Sequence, residues 1–505
     1  MYDVAIIGAG MAGMATAARL QAHGLSTVVL EAHSHVGGCA GYFRRRGFAF
    51  DVGATTLVDF EPGGVGGELL DSIGMQPIEG EALPGYVAWL PDRTVTLFRN
   101  HTAWAAERLA ALGNTPKHHA LWAFLDRLAA VFWQASRRGI KLPVRSVADL
   151  RRNLQTVNIA DLSLARYLRW TMGDALRAFD LREDRSLAAL LAMLVEDTVH
   201  STLDSAPLIN AALGVTIRGA GLFRHCGGMW GFWRRFVGHY RSMGGQLRLG
   251  CCVECVEGQK GSFTLHTQRG LVWAAQVVGA IPAASIARIA PPATGKALRP
   301  YLQRDERALG GAIVVFLGVP EAQVAGQPFT HHQLLHDYTQ PLGNGNNMFI
   351  SVSASGDGDS APPGYRAVMI STHCAVEDWE GLSAEAYMRQ KQMAGARLVQ
   401  YARRVYPQLG DNALVYEIGT PCTYERYTGR PRGAVGGVRQ NLHNANQNAI
   451  PCDIGPAGFW LVGDTTWPGL GTVACVLGSR IVAEGVTRTA QQGRTLNPSP
   501  ARKRV

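Results

Sequence analysis

The chain has 505 residues, enough for two or three domains at roughly 100 to 200 residues each. With 47% hydrophobic and only 17% charged residues it is not a disordered chain, and its 59 glycines follow no collagen-like period. The net charge of +10 favours anionic partners, acidic lipid or nucleic acid, without choosing between them.

Met1 leads directly into the apolar segment Tyr2-Asp3-Val4-Ala5-Ile6-Ile7, with no basic stretch or cleavage site of a secretory signal. No uncharged apolar run reaches the roughly 18 residues of a membrane span. Nine scattered cysteines, an odd number, fit a reduced cytoplasmic chain. Cys251, Cys252 and Cys255 fall in a predicted strand, where 252 and 255 point to opposite faces, so no metal site is expected.

Taken in order, residues 4–7 predict a strand, 12–23 a helix closed by Gly24, and 27–31 a second strand, a βαβ opening. Residues 86–98 predict a hairpin around Pro91-Asp92. The chain then reads as mostly helical to about residue 203, with Trp122, Leu125, Leu128, Ala129 and Phe132 on one stripe. After Gly227-Gly228 a helix over 230–243 ends at Gly244-Gly245, and strands follow near 247–256, 262–267 and 277–281. A second group of strands is predicted at 312–319, 346–354, 366–375 and 414–418, with a long helix over 384–405. A strand over 459–462 meets Gly463-Asp464, a helix covers 472–486, and residues 491–505 read as a disordered basic tail.

Gly8-Ala9-Gly10-Met11-Ala12-Gly13 is G-x-G-x-x-G set between predicted strand and helix. Glycines there permit a tight turn and the approach of a pyrophosphate to the helix N-terminus, where free N–H groups and the dipole favour negative charge. Glu31 ends the second strand 21 residues past Gly10, where a carboxylate accepts hydrogen bonds from ribose hydroxyls and disfavours a 2′-phosphate.

Beyond these, Glu31-Ala32, Gly37-Gly38 and the run from Arg46 through Asp51-Val52-Gly53-Ala54 resemble the extended FAD fingerprint of the amine oxidase and phytoene desaturase superfamily. Several strings are similar to carotenoid desaturases and isomerases, most of all to bacterial carotenoid C-3′,4′ desaturases. They are Phe50 to Thr55 with Glu61 to Gly64, His331-His332-Gln333 with Asp337-Tyr338, Gly419-Thr420-Pro421, Arg426 to Arg430, and Val462 to Gly469. The likeness covers most of residues 1–485 and is weakest in the helical stretch and at 441–450, where substrate contacts are therefore expected.

The resemblance implies an α/β fold with a Rossmann-type FAD-binding domain in discontinuous segments (1–80, 220–290, 452–490). A substrate domain of mixed β-sheet and helical lid follows from it (81–219, 291–451), membrane-facing within 100–204. It implies that Gly8, Gly10, Met11, Ala12, Gly13, Glu31, Ala32, Gly37, Gly38, Arg46, Gly53, Ala54, Val253, Gly463, Asp464, Gly471, Thr472 and Val473 contact FAD. The helix start at Thr472 would stabilise the anionic reduced flavin. Relatives carry arginine directly after the paired glycines, whereas this chain has Cys39, and Arg44, Arg45 and Arg46 are expected to supply the charge instead.

The implied substrate is a carotenoid or similar polyene lipid, and the implied reaction is desaturation by hydride transfer to flavin. A cis-trans isomerase, a polyene saturase and a non-catalytic lipid carrier of the same fold stay open, as does the electron acceptor. Catalytic residues are weakly marked: Glu196 and Asp197 interrupt an apolar helical run, and His332 lies on an alternating strand. Eight basic residues between Arg137 and Arg169, against Asp149 and Asp161, suggest peripheral attachment to an anionic membrane surface. The group Arg218, Arg224, Trp230, Trp233, Arg234 and Arg235 reads as scaffolding, and no nucleic-acid partner is expected.

Overall fold

The computed structural model describes residues 1–496. Three short apolar or small-residue segments start the first sheet: β1 (Tyr2–Ile7), α1 (Met11–Ala22) and β2 (Thr27–Leu30). All four residues of β2 and the last four of β1 are buried, as a parallel strand covered on both faces requires. β1 pairs in parallel with β2 on one side and with strand Gly270–Gly279 on the other. Strand Gln246–Arg248 lies outside β2, and Phe459–Leu461 runs parallel to Gly270–Gly279. Ser262–Thr267 and Val253–Gln259 continue the sheet as antiparallel strands. The sheet therefore gathers early, middle and late segments of the chain.

Small residues let elements approach closely here. Ala12, Ala15, Ala17 and Ala18 on α1 are buried in one core with Val476, Ile481 and Val482 of the last helix, Thr472–Leu496. That helix extends to Leu496, so residues 491–496 are helical rather than part of a disordered tail. The rest of the predicted tail, 497–505, lies outside the described residues.

The second sheet has the order Val415–Gly419, Gly311–Pro320, Tyr365–Cys374, Asn347–Val352, His331–Leu335, Gly85–Trp89, Thr94–Phe98. Its pairs are antiparallel except His331–Leu335 with Gly85–Trp89. Helix Ala384–Ala402 covers one face. Helices between residues 101 and 220 form their own core, in which Trp122, Leu125, Leu128 and Ala129 of helix Pro116–Arg137 are buried and Phe132 packs at the margin. Helix Arg185–Val199 packs so tightly on Leu208–Val215 that a Cβ on Gly214 would lie 2.0 Å from Thr198 Oγ1.

Two expectations change in detail. Cys251 and Cys252 precede strand Val253–Gln259, which shifts register between Val253 and Cys255, so the opposite-face argument does not apply to Cys252. Among the described residues no group of three metal-ligating side chains occurs. In the arginine and tryptophan group, Arg224 is 5% exposed and pairs with buried Asp51 at 2.7 Å, while Trp233 donates to the Ala40 carbonyl. Arg224 on strand Leu222–His225 thus holds Asp51, Trp233 ties helix Gly228–Ser242 to Ala40, and the other Asp51 oxygen accepts from Met229 N at the start of that helix.

Candidate active site

One cavity of about 1150 Å³ runs from the β1–α1 loop to the second sheet. Of the residues expected at a cofactor, Gly8, Gly10, Met11, Ala12, Glu31, Ala32, Gly37, Gly38, Gly53, Ala54, Val253, Gly463, Asp464, Gly471, Thr472 and Val473 line it. Gly13 does not. It is a packing residue: a Cβ there would lie 2.1 Å from the Gly8 carbonyl, so only glycine lets α1 start this close to β1.

Backbone shape makes this half of the cavity. Gly37 has φ of 115° and donates to the Ala9 carbonyl, and a Cβ on it would meet Gly41 Cα at 2.5 Å. Gly10, Gly463 and Gly471 are different, because a Cβ on each would meet nothing within 4 Å and would stand in the cavity itself. Glu31 accepts from Ala9 N at 2.7 Å and His33 N at 2.8 Å, fixing both oxygens at the wall with lone pairs to spare. Burial raises its carboxyl above the ordinary range, and those N–H donors offset part of the rise.

Arg46 is a correction. It is exposed, with φ of 50°, and donates to the Leu414 carbonyl, away from the cavity. Arg44 stacks on Trp230, and Arg45, which does line the cavity, pairs with Glu417. The cation beside Cys39 is instead Arg430, 9% exposed, held at 2.8 Å by Asp464. Burial alone would favour loss of its proton, but the Asp464 carboxylate beside it outweighs burial and keeps it charged. Burial also pushes the Cys39 thiol up, so it is a neutral wall residue.

The other half is built by side chains from separated segments. Val58, Ile217, Leu222, Val314, Phe316 and Phe349 give it an apolar lining. Polar groups gather at one place: Asp197, His200, Arg218, Gln333, Asn347 and His373 all line the cavity. Asp197 Oδ2 is 3.6 Å from Arg218 Nη2, and burial raises the Asp197 carboxyl, with Arg218 and His373 offsetting part of it. Glu196, one residue earlier, points out of the cavity to Asn347 Nδ2 and to His373 Nδ1 at 3.8 Å. Burial acts to raise Glu196, yet those partners prevail and its carboxyl is lowered, which weakens it as a base for proton transfer. Glu196 holds His373 above its ordinary value against the opposing effect of burial. His200, at φ of 54° on the end of helix Arg185–Val199, is pushed well down by burial and then by His373, whose ring centroid is 4.4 Å away.

His332 is likewise corrected. Strand alternation turns it to the far face of the second sheet, where it accepts from Trp89 Nε1 at 3.2 Å and bonds the Tyr406 hydroxyl at 2.9 Å. Burial lowers it to about 4. Its neighbour Gln333 faces the cavity instead. The segment 441–450, expected to touch substrate, contributes nothing to the wall. Arg218, His200, His373, Asn347 and Arg430 were not assigned to the site from the sequence. Only Arg430 carried a signal, as the end of the string Arg426-Tyr427-Thr428-Gly429-Arg430.

Residues 6–73 match the NAD(P)-binding Rossmann-like domain family. The chain is 23% identical to the chloroplastic prolycopene isomerase of Daucus carota, over 96% of this chain and 80% of that protein. It is 46% identical to the lycopene-forming phytoene desaturase of Pseudescherichia vulneris, over only 12% of each. In fold it is similar to a redesigned putrescine oxidase, with a TM-score of 0.63, 14% identity and coverage of 96% of this chain and 99% of that one. The open space at Gly10, Gly463 and Gly471 and the fixed Glu31 carboxylate fit an FAD molecule lying along the cavity. With a Rossmann half shaped for the dinucleotide, the chain is an FAD-dependent oxidoreductase, similar along nearly its whole length to prolycopene isomerases and over a short stretch to a phytoene desaturase.

Proposed function

We propose that the protein desaturates a long apolar polyene, with FAD along the glycine-lined half of the cavity and the polyene in the other half. The observation that carries this reading is Asp197, a partly exposed carboxylate facing the apolar half of the same cavity that the cofactor residues line, its proton affinity raised by desolvation. The N-terminus of α1 beside Gly8, Gly10, Met11 and Ala12 would hold the pyrophosphate, and Glu31 with Ala32 would hold the ribose. Val253, on the cavity wall, would offer its backbone to the adenine. Gly37, Gly38, Gly53, Ala54, Gly463, Asp464, Gly471, Thr472 and Val473 enclose the rest. Bound FAD supplies a two-electron acceptor for hydride.

One substrate C–H bond breaks to give that hydride, the adjacent C–H bond releases its proton to Asp197, and the remaining electron pair forms the new double bond. Burial strengthens Asp197 as a base, and Arg218 at 3.6 Å orients it. Glu196 acts at one remove, as a positioning residue that holds His373 and Asn347 against the cavity. The apolar wall excludes water from the reacting carbons.

The substrate arrives from an anionic membrane surface through residues 145–169. In that stretch Val147 is 83% exposed and Leu150, Leu154, Leu162 and Leu168 are exposed with it, beside exposed Arg151, Arg166 and Arg169. These three arginines form no ion pair among the described residues, whereas Arg137, Lys141, Arg145 and Arg152 pair with Asp59, Asp149, Asp453 and Glu484. Among the described residues no helix is long and apolar enough to cross a membrane.

A second reading, flavin-dependent cis-trans isomerisation, is favoured by the nearly full-length similarity to prolycopene isomerases. Mass analysis of the product separates them. Loss of two hydrogens from an acyclic polyene supports desaturation, and an unchanged mass with an altered double-bond geometry supports the isomerase.

A further inference from the structure

The two halves of the cavity meet at one short loop. Residues 430–437 pack on both sides at once: a Cβ on Gly437 would lie 2.4 Å from the Asp464 carbonyl oxygen, and one on Gly436 would lie 2.2 Å from His200 Cε1. Asp464 belongs to the cofactor half and His200 to the polar group of the other, so the loop stands where the halves join. It begins with Arg430.

The arginines that line the cavity are not equivalent. Arg45 and Arg288 are exposed, and Arg218 is turned to Asp197 and Gln333. Arg430 is 9% exposed, donates from Nε to the Ala434 carbonyl and pairs through Nη2 with Asp464 at 2.8 Å. Its Nη1 makes no hydrogen bond and is not among the buried unpartnered nitrogens, so it opens on the cavity that Arg430 lines. Burial keeps the nearby Cys39 and Cys475 thiols neutral, so the negative charge beside Arg430 comes from Asp464. Cys475 lies in the first turn of helix Thr472–Leu496, whose N-terminus adds positive charge of its own.

We propose that Arg430 stabilises the negative charge of the reduced flavin and so sets how readily the cofactor accepts electrons. Hydride transfer requires the flavin ring to meet the polyene half, which places the ring at this junction. The oxidised ring is neutral and gains little from a cation. Arrival of a hydride, one proton with two electrons, leaves the reduced ring with a full negative charge shared by N1 and the C2 carbonyl. Only such a differential interaction moves an equilibrium. Asp464 holds the guanidinium in place and opposes its field, so the two partners of one ion pair act on the flavin with opposite sign.

The inference rests on the reading above that puts FAD along the glycine-lined half of the cavity. It is tested with FAD-loaded protein, anaerobically and without polyene, by measuring the two-electron reduction potential of the flavin against reference dyes. Arg430→Met is expected to weaken reduced FAD about 10- to 100-fold more than oxidised FAD, the worth of one hydrogen bond from a charged donor, which lowers the potential by about 30–60 mV. Asp464→Asn is expected to raise the potential, and Arg430→Lys to keep most of the wild-type value. A purely structural role produces no such pair of opposite shifts. In the wild type the reduced flavin should keep the absorbance of the anion at pH values where free reduced FAD is protonated at N1.

An unchanged potential in Arg430→Met, with oxidised and reduced FAD weakened equally, overturns the proposal, because the cation would then serve the pyrophosphate. So does a wild-type reduced flavin that takes up its N1 proton at the same pH as free FAD, a result that needs no variant to fold. A polyene that fails to reduce the flavin would sink the desaturation reading and leave both of these measurements to decide the role of Arg430.

Discussion

The two halves of the cavity are made by different means. On the cofactor side the wall is mostly backbone: Gly8, Gly37, Gly463 and Gly471 hold φ between 100° and 134°, and the side-chain devices are the fixed Glu31 carboxylate and the Arg430–Asp464 pair. On the substrate side the wall is side chains, brought by helix Arg185–Val199, the turn at Arg218 and strands His331–Leu335, Asn347–Val352 and Tyr365–Cys374. A dinucleotide needs close approach and N–H donors, which glycine loops and helix starts provide. A polyene needs an apolar surface with a few placed polar groups, which any number of folded segments can assemble.

The sharpest way to break this division is to change the substrate half alone. Asp197→Asn should retain FAD and slow flavin reduction by polyene about 10²- to 10⁴-fold, the usual range for a positioned general base. In the wild type the same rate should fall as pH drops through the Asp197 pKa, which lies above the ordinary 3.8, because only the ionised form accepts the proton. Asp197→Asn should abolish that dependence. Rapid mixing over a pH series reads both, and an unchanged rate in the variant removes Asp197 from the chemistry.

One side-chain device of the cofactor half comes next. Arg430→Met leaves the partly buried Asp464 without its cation and should cost about 1–3 kcal/mol in denaturant unfolding. A neutral outcome would mean that the pair is dispensable and that backbone alone shapes the site. Gly10→Val adds atoms where the cavity is open, so it should weaken FAD by about 10- to 100-fold with little change in the unfolding of the apoprotein. A large loss of apoprotein stability would instead make Gly10 a packing residue like Gly13.

Farther from the cavity, Leu150→Asp with Leu154→Asp should cut salt-sensitive binding to anionic vesicles about tenfold and leave reduction by detergent-solubilised polyene unchanged. Vesicle co-sedimentation checks this, and undiminished binding places the membrane contact elsewhere. The smallest effect on the cavity is expected at His332, on the far face of the second sheet. Its folded value of about 4 lies below the ordinary 6.5, so the unfolded chain takes up the proton first and stability is lost as pH falls from 6.5 through 4. His332→Gln should flatten that slope, worth about 3 kcal/mol at most, without altering flavin reduction.

This contrast also explains what could be read in the sequence. Gly10, Glu31, Gly37-Gly38 and Gly463-Asp464 were legible because positive φ, open space or a fixed carboxylate demands those residue types locally. The βαβ opening and the strands of the second sheet were legible from apolar periodicity. Side-chain direction was harder: Arg46 was assigned where Arg45 lines the cavity, and His332 where Gln333 does. Such one-residue displacements follow from alternation in a strand or turn, where neighbours face opposite ways. Glu196 and Asp197 are adjacent on a helix, and only packing decides which of them meets His373 and which the cavity. Arg218 and His200 gave no signal, because their roles depend on contacts between segments far apart in the chain.

The central claim is that both halves of one cavity act together on a polyene, one taking hydride and the other a proton. The direct measurement is a single anaerobic turnover of FAD-loaded protein with a partly saturated polyene in liposomes, following flavin and polyene absorbance together. Desaturation predicts that the flavin bleaches in step with a red shift of the polyene, one double bond formed per flavin reduced. A polyene that changes isomer only after the flavin has been reduced chemically, with no net electrons consumed, would contradict it.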